Sequence, residues 1–93
     1  MTDKPIRERD IEDYLKRRVK AMGGEVRKVK WVGRSGAPDR LVLLSMYQPF
    51  WVELKAPGKK IEPHQRREHA RMRWFGACVE VVDSFAGVDE VLS

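Results

Sequence analysis

Glycine and proline divide this 93-residue chain into short segments, each with room for only one helix or strand. The breaks fall at Gly23-Gly24, at residues 33–38, at Tyr47-Gln-Pro49, at Pro57-Gly58 and at Gly76. Proline cannot donate a backbone hydrogen bond and glycine favours turns, so we expect an element to end at each break. The length allows one domain, which we place over residues 1–93.

The segments between these breaks differ in hydrophobic period. From about residue 7 to residue 22, apolar side chains recur at helical spacing, at Ile11, Leu15, Val19 and Met22. A second helix is predicted from Pro63, a residue favoured at the first helical position, to about residue 75. A short third helix, capped by Asp83 or Ser84, is predicted to run through Leu92.

Four short segments predict β-strands: residues 25–32, 40–44, 50–56 and 78–82. The resulting order is α-β-β-β-α-β-α. It predicts an α/β fold, in which helices flank a small mixed β-sheet.

Charge and cysteine content restrict the class of protein. Lys and Arg number 19 against 14 Asp and Glu, a net charge of +5 that favours polyanionic partners such as nucleic acid. The apolar run of residues 41–44 is too short to span a membrane, and the first ten residues are too charged for a signal peptide. The lone cysteine, Cys78, follows no disulfide or zinc pattern, and its valine neighbours predict a buried thiol. We therefore expect a cytoplasmic protein in a reducing cell.

One strand carries charged side chains among apolar ones. In a strand over residues 51–55, Glu53 and Lys55 share one face, and the apolar residues between them point to the other. Asp39 begins the preceding strand, and a hairpin between the two strands would bring it close to Glu53. Paired carboxylates suit Mg²⁺ or Mn²⁺, and an adjacent lysine can stabilise charge on a phosphate. The alternative is a Glu53–Lys55 ion pair with Asp39 capping a turn.

Three motifs, in this order, resemble a known family. They are Gly36-Ala-Pro-Asp-Arg40, Val52-Glu-Leu-Lys-Ala-Pro-Gly58 and Pro63-His-Gln65. Together with the helix motif over residues 8–15, they resemble the VRR-NUC (virus-type replication-repair nuclease) branch of the PD-(D/E)XK nuclease superfamily, in its stand-alone phage-type members. The resemblance extends over residues 8–84.

The resemblance implies a metal site and a catalytic lysine. Asp39, Glu53 and the backbone carbonyl of Leu54 would bind Mg²⁺ or Mn²⁺, and Lys55 would serve the attacking water and the scissile phosphate. Gln65 would hold a water or a phosphate.

The family also places a glutamate of the first helix near the metal. Glu12 is favoured because it flanks the buried stripe, and Glu8, four residues earlier on the same face, is the alternative.

The function implied is a metal-dependent endodeoxyribonuclease that acts on branched, Holliday-junction-like DNA as a homodimer. The basic residues expected to contact DNA are Arg34, Lys59, Lys60, Arg66 and Arg67. Two alternatives remain: a nucleic-acid-binding module without catalysis, and a nuclease subunit that depends on partners.

Two further sets of residues are given structural roles. His64 and His69 are five residues apart, so they do not share a metal-facing side of a helix. Trp31, Trp51 and Trp74 are expected in the core or in a dimer contact rather than stacked on bases.

Overall fold

The computed structural model describes residues 4–93. Its elements are α1 (Glu8–Ala21), β1 (Glu25–Lys28), β2 (Arg40–Leu43), β3 (Phe50–Leu54), α2 (Pro63–Trp74), β4 (Val79–Val82) and α3 (Phe85–Val91). The predicted order of helices and strands is confirmed. β1 is shorter than predicted, because its partner β2 begins only at Arg40, directly after the loop that contains Pro38.

The four strands form one mixed sheet in the order β1-β2-β3-β4. The first three strands are antiparallel, and β4 pairs parallel to β3. β3 and β4 can pair in parallel because the segment between them, which contains α2, carries the chain back to the end of the sheet at which β3 begins. The predicted mixed sheet is therefore confirmed, and β1 and β4 are its two edges.

The hydrophobic core lies between one face of the sheet and helices α1 and α3. Ile11, Leu15 and Val19 of α1 are fully buried, and they belong to the same apolar cluster as Val52 and Leu54 of β3. Met22, predicted to extend this stripe, is 38% exposed because α1 ends at the residue before it. The burial of β3 alternates as predicted, so Glu53 faces away from this core.

Helix α2 flanks the sheet differently from α1. The residues that it buries are not apolar: they are Glu68 and His69. Its first turn is closed by Gln65, whose side-chain oxygen accepts a hydrogen bond of 2.8 Å from the amide of Glu62. This polar surface lies against Glu53 and provides the setting for the candidate site.

The prediction of a buried Cys78 is wrong. Cys78 is exposed, because it lies just outside the sheet, one residue before β4 begins. No helix within residues 4–93 is long and apolar enough to cross a membrane.

Candidate active site

The strand register brings together the predicted acidic residues. Arg40 of β2 pairs with Val52 of β3 in the antiparallel ladder, so Asp39 and Glu53 lie opposite each other at its end. The amide of Lys55 donates to the carbonyl of Val82 at 2.9 Å, which continues the extended backbone beyond β3. Lys55 therefore follows Glu53 on the same side of the strand.

The pKa of Glu53 lies far above the ordinary value of a glutamate. Burial raises its pKa to about 7, and the negative charges of Asp39 and Glu8 act in the same direction. The positive charge of Lys55 opposes them. The side chain of Glu53 is only 12% exposed, which accounts for the size of the desolvation effect.

Helix α2 contacts both carboxylate oxygens of Glu53. Gln65 donates from Nε2 to one oxygen at 3.4 Å, and Nε2 of His69 lies 3.3 Å from the other. His69 is fully buried, and its Nδ1 has no hydrogen-bond partner among the described residues. Burial, followed by the charge of Arg73, lowers the pKa of His69, so its neutral form is favoured.

A contact between His69 and Glu53 was not predicted from the sequence. His69 was compared only with His64, which is exposed at the start of α2. The informative spacing is instead the four residues from Gln65 to His69, which place both side chains on the same face of α2.

Arg40 is a second residue that the sequence analysis did not single out. Its guanidinium is buried and bridges two carboxylates, at 2.6 Å from Glu12 and 2.9 Å from Asp39. Burial alone would raise the pKa of Glu12, but the hydrogen bond and charge of Arg40, with the charge of Lys16, hold it below its usual value. Glu12 is thus bound to Arg40, while Glu8 is the α1 residue whose charge reaches Glu53.

The loop before β2 is fixed by contacts at both of its ends. Nε1 of Trp31 donates to the carbonyl of Pro38 at 2.8 Å, and the rings of Trp31 and Trp51 lie 5.1 Å apart. Gly36 has a φ of +86° and packs so closely on α2 that a Cβ atom there would lie 2.7 Å from the carbonyl oxygen of His64. The packing of this loop on the start of α2 therefore positions both Asp39 and Gln65.

The predicted DNA-binding residues fall into two groups. Arg34 forms an ion pair of 3.1 Å with the buried Glu68, which ties the loop to α2. Lys59, Lys60, Arg66 and Arg67 are exposed around the same end of the sheet, and none forms an ion pair with another described residue.

The donors at this site suit a hard divalent cation. Asp39 and Glu53 supply carboxylate oxygens, and the carbonyl of Leu54 lies on the backbone between Glu53 and Lys55. Within residues 4–93, no group of three Asp, Glu, His or Cys side chains is close enough to form a complete metal cluster. The raised pKa of Glu53 reflects burial first and then the negative charges of Asp39 and Glu8, and a cation would favour the ionised carboxylate against both effects. The residues therefore fit a Mg²⁺- or Mn²⁺-type ion held by few protein ligands.

The chain is similar to a phage protein and to a solved structure. "Putative nuclease p44" of Acyrthosiphon pisum secondary endosymbiont phage 1 is 48% identical to this chain over 79 residues, which cover 85% of each sequence. A solved structure described as "VRR_NUC domain" superposes with a TM-score of 0.82 at 48% identity, and the match covers 91% of this chain and 92% of that chain. No family model matches the chain.

Gly36→Ala should destabilise the protein more than Gly33→Ala. Both glycines have positive φ, but only Gly36 would place its Cβ against α2, whereas a Cβ at Gly33 meets nothing within 4 Å. The extra cost should be about 1–3 kcal/mol, the usual range for overpacking. Urea denaturation of the two variants measures it, and equal losses would contradict the packing of the loop on α2.

Glu53→Gln should stabilise the metal-free protein at pH 8 but not at pH 4.5. The folded state raises the pKa of Glu53 from 4.5 to about 7, so folding disfavours its ionised form. The free energy of unfolding of the native protein should therefore fall, relative to the variant, as pH rises through this window, by roughly 2–3 kcal/mol.

Thermal denaturation in EDTA across this pH range provides the measurement. Glu90→Gln, on the exposed side of α3, is the matched control for the loss of one carboxylate. A difference between native protein and Glu53→Gln that does not vary with pH would contradict the buried-carboxylate account.

Proposed function

Because this chain belongs to the VRR-NUC family, we propose that it is a Mg²⁺- or Mn²⁺-dependent endonuclease that hydrolyses backbone phosphodiesters of branched DNA. The observation that carries the proposal is the setting of Glu53. This buried carboxylate lies opposite Asp39 in the strand register and is contacted by Gln65 and His69 of α2. Lys55 follows it on the same face of the strand. Burial disfavours the ionised form of Glu53, so a carboxylate at this position does not serve stability and favours a functional role.

Asp39, Glu53 and the carbonyl of Leu54 would hold the cation. When bound, a divalent ion at these oxygens supplies positive charge to the scissile phosphate and lowers the pKa of water. Glu8 is the better candidate for the ligand from α1, since its charge acts on Glu53 while Glu12 is bound to Arg40.

The remaining residues position and stabilise. Gln65 and His69 fix the orientation of the Glu53 carboxylate, and Arg40 does the same for Asp39. Lys55 places an ammonium group next to these carboxylates, where it can stabilise negative charge on the phosphate as the bond to the leaving oxygen breaks. Gln65, whose side chain is only half-buried, can also donate to a water or a phosphate oxygen.

DNA as substrate rests on the family and on charge. The net charge of +5 and the exposed Lys59, Lys60, Arg66 and Arg67 supply phosphate contacts that do not depend on base sequence. The side chain of Arg34 is 44% exposed despite its ion pair with Glu68, so part of its guanidinium can still contact a phosphate. The stand-alone members that this chain resembles lead us to branched junctions as the preferred shape.

Pairing of two copies through β4 would give the homodimer that cuts paired strands. The edge of β1 is protected by Glu25, Arg27 and Lys28, whereas β4 has three valines and a single charge. Val81 of β4 is 41% exposed. Arg73 covers the carbonyl of Val79 at one end of this edge, and the rest of β4, in so small a domain, favours pairing with a second copy.

A binding module without catalysis, or a subunit that cuts only with partners, is the alternative. A binding module does not account for the burial of Glu53 between Asp39 and α2, so the nuclease is the function we support. A cleavage assay on the chain alone tests whether it cuts without partners. The phage origin of the relative agrees with action inside a host cell.

Glu8→Gln should weaken Mn²⁺ binding, whereas Glu12→Gln should leave it within about threefold. The reason is that removing the Glu8 charge takes away a carboxylate that acts on Glu53, while Glu12 is neutralised by Arg40. Isothermal titration with Mn²⁺ compares the pair, with Asp39→Asn as the variant expected to lose binding. A larger loss of Mn²⁺ affinity in Glu12→Gln than in Glu8→Gln would instead assign the ligand role to Glu12.

Lys55→Ala should lower cleavage of a four-way junction by at least about 10²-fold while leaving DNA affinity nearly unchanged. End-labelled junction, flap and linear duplex DNA, each with Mg²⁺, Mn²⁺ or EDTA, provide the measurement. Lys60→Ala is the matched control, because it removes an equal charge beside the site and should affect affinity more than the cleavage rate.

The outcomes of this assay separate the functions. Paired, metal-dependent cuts in the junction support the dimeric nuclease, and Val81→Lys should then convert paired cuts to single ones by charging the β4 edge. Cuts in flaps or duplex alone would keep the chemistry and reject the junction. Binding without cleavage under any metal would favour the binding module or the partner-dependent subunit.

A further inference from the structure

The outward face of α2 combines basic and aromatic side chains in one row. Arg67, Arg71 and Trp74 are spaced by four and three residues, so they share the side of α2 opposite Gln65 and His69. Phe75 caps the helix directly after Trp74. Trp74 is 85% exposed and Phe75 is 80% exposed.

Neither aromatic residue contributes to the core. Trp74 was expected in the core or in a dimer contact, and its exposure shows that a core role is wrong. Trp31 and Trp51 are half-buried, and their rings contact each other at an angle of 45°. Two adjacent, almost fully exposed aromatic rings are costly to leave in water, and such a patch marks a binding surface.

The row follows the helix that contacts Glu53 but lies on its other side. Trp74 is nine residues beyond Gln65, about 14 Å along the helix axis. That axial distance corresponds to about four nucleotides at the spacing of a stacked strand. A strand that leaves the active site and crosses α2 would therefore reach the aromatic pair a few nucleotides beyond this count.

The charged groups of the row are available to phosphates. Arg67 forms no ion pair with another described residue, and Arg71 lies at 3.8 Å from Glu68, whose carboxylate is already held by Arg34 at 3.1 Å. Arg73, by contrast, donates to the carbonyl of Val79 and joins α2 to β4. The arginines that face outward are thus distinct from the one that anchors the helix.

A second copy of the chain is a poorer fit for this face. A two-fold contact centred on the aromatic pair would place Arg71 of both copies beside the contact, in a protein that already carries a charge of +5. A nucleic acid strand satisfies both parts of the surface at once, because its phosphates pair with arginine and its bases stack on aromatic rings.

We propose that Arg67, Arg71, Trp74 and Phe75 form a platform that binds an unpaired single-stranded segment of the nucleic acid substrate. The identity of the ligand as the strand leaving the active site rests on the proposed function. The binding itself needs neither metal nor cleavage. The platform gives the protein affinity for a flap or an unpaired arm that a plain duplex does not provide.

Binding of oligothymidylate in EDTA tests the platform without any chemistry. The exposed Trp74 should be quenched on binding, and Trp74→Ala should remove that quenching. Trp74→Ala and Phe75→Ala should each weaken binding by about five- to hundredfold, the range for loss of one base–aromatic contact. Trp74→Phe should restore most of the affinity, and blunt duplex should be affected less than threefold.

Matched variants control for exposure and charge. Met46→Ala removes an apolar side chain that is 99% exposed on the turn before β3, and its affinity should equal that of the native protein. Arg67→Ala and Arg71→Ala should each reduce the dependence of log affinity on log salt by about 0.7, the value for one phosphate on a single strand. Lys20→Ala, on the last turn of α1, should leave this slope unchanged.

The same preparations give the outcomes that would overturn the proposal. Unchanged oligothymidylate affinity in the Trp74→Ala, Phe75→Ala double variant, with an unchanged melting temperature, would reject the platform. A double variant that changes only the oligomeric state, measured by light scattering, would assign the aromatic pair to a second copy. If the native protein binds with Trp74 quenching but cuts no DNA, the proposed nuclease function fails while the platform stands.

Discussion

A carboxylate buried on the sheet governs the arrangement of this molecule. Glu53 lies on a strand whose neighbouring side chains enter the apolar core, yet its own side chain is almost covered on the opposite face. Such a group requires polar partners, and α2 provides them through Gln65 and His69 rather than through an apolar stripe. This explains why α1 is strongly amphipathic while α2 buries a glutamate and a histidine. The two faces of the sheet are thus specialised, with stability on one side and chemistry on the other.

Arg40 connects these two sides. Its guanidinium lies between the carboxylates of Glu12, which belongs to the core helix, and Asp39, which belongs to the site. Removing Arg40 would leave the half-buried Glu12 without its strongest partner, and would also release Asp39. The position of the Asp39 carboxylate therefore depends on how α1 packs, although the buried side chains of α1 belong to the core.

The sequence was sufficient for the features that depend on local patterns. Glycine and proline marked the ends of elements, alternation identified β3, and the spacing of Ile11, Leu15 and Val19 identified α1. The contacts that depend on distant parts of the chain could not be predicted in the same way. The burial of His69, the bond between Arg40 and Glu12, and the exposure of Cys78 follow from how elements meet rather than from any local period. Arg34 illustrates the difference, because its ion pair with Glu68 joins residues 34 positions apart and could not be predicted from the loop sequence.

The attachment of α2 has a consequence for motion. The side-chain bonds that hold this helix include the Arg34–Glu68 ion pair, the bonds to Glu53 and the bonds from Arg73 to Val79, and the residues that it buries are Glu68 and His69. Helices held by few apolar contacts open at lower free energy than those embedded in a core. Hydrogen exchange should therefore be faster in α2 than in α1, and each opening would withdraw Gln65 and His69 from the carboxylate that they orient. The lifetime of the assembled site is then set by the lifetime of a single polar helix, even while the rest of the domain remains folded.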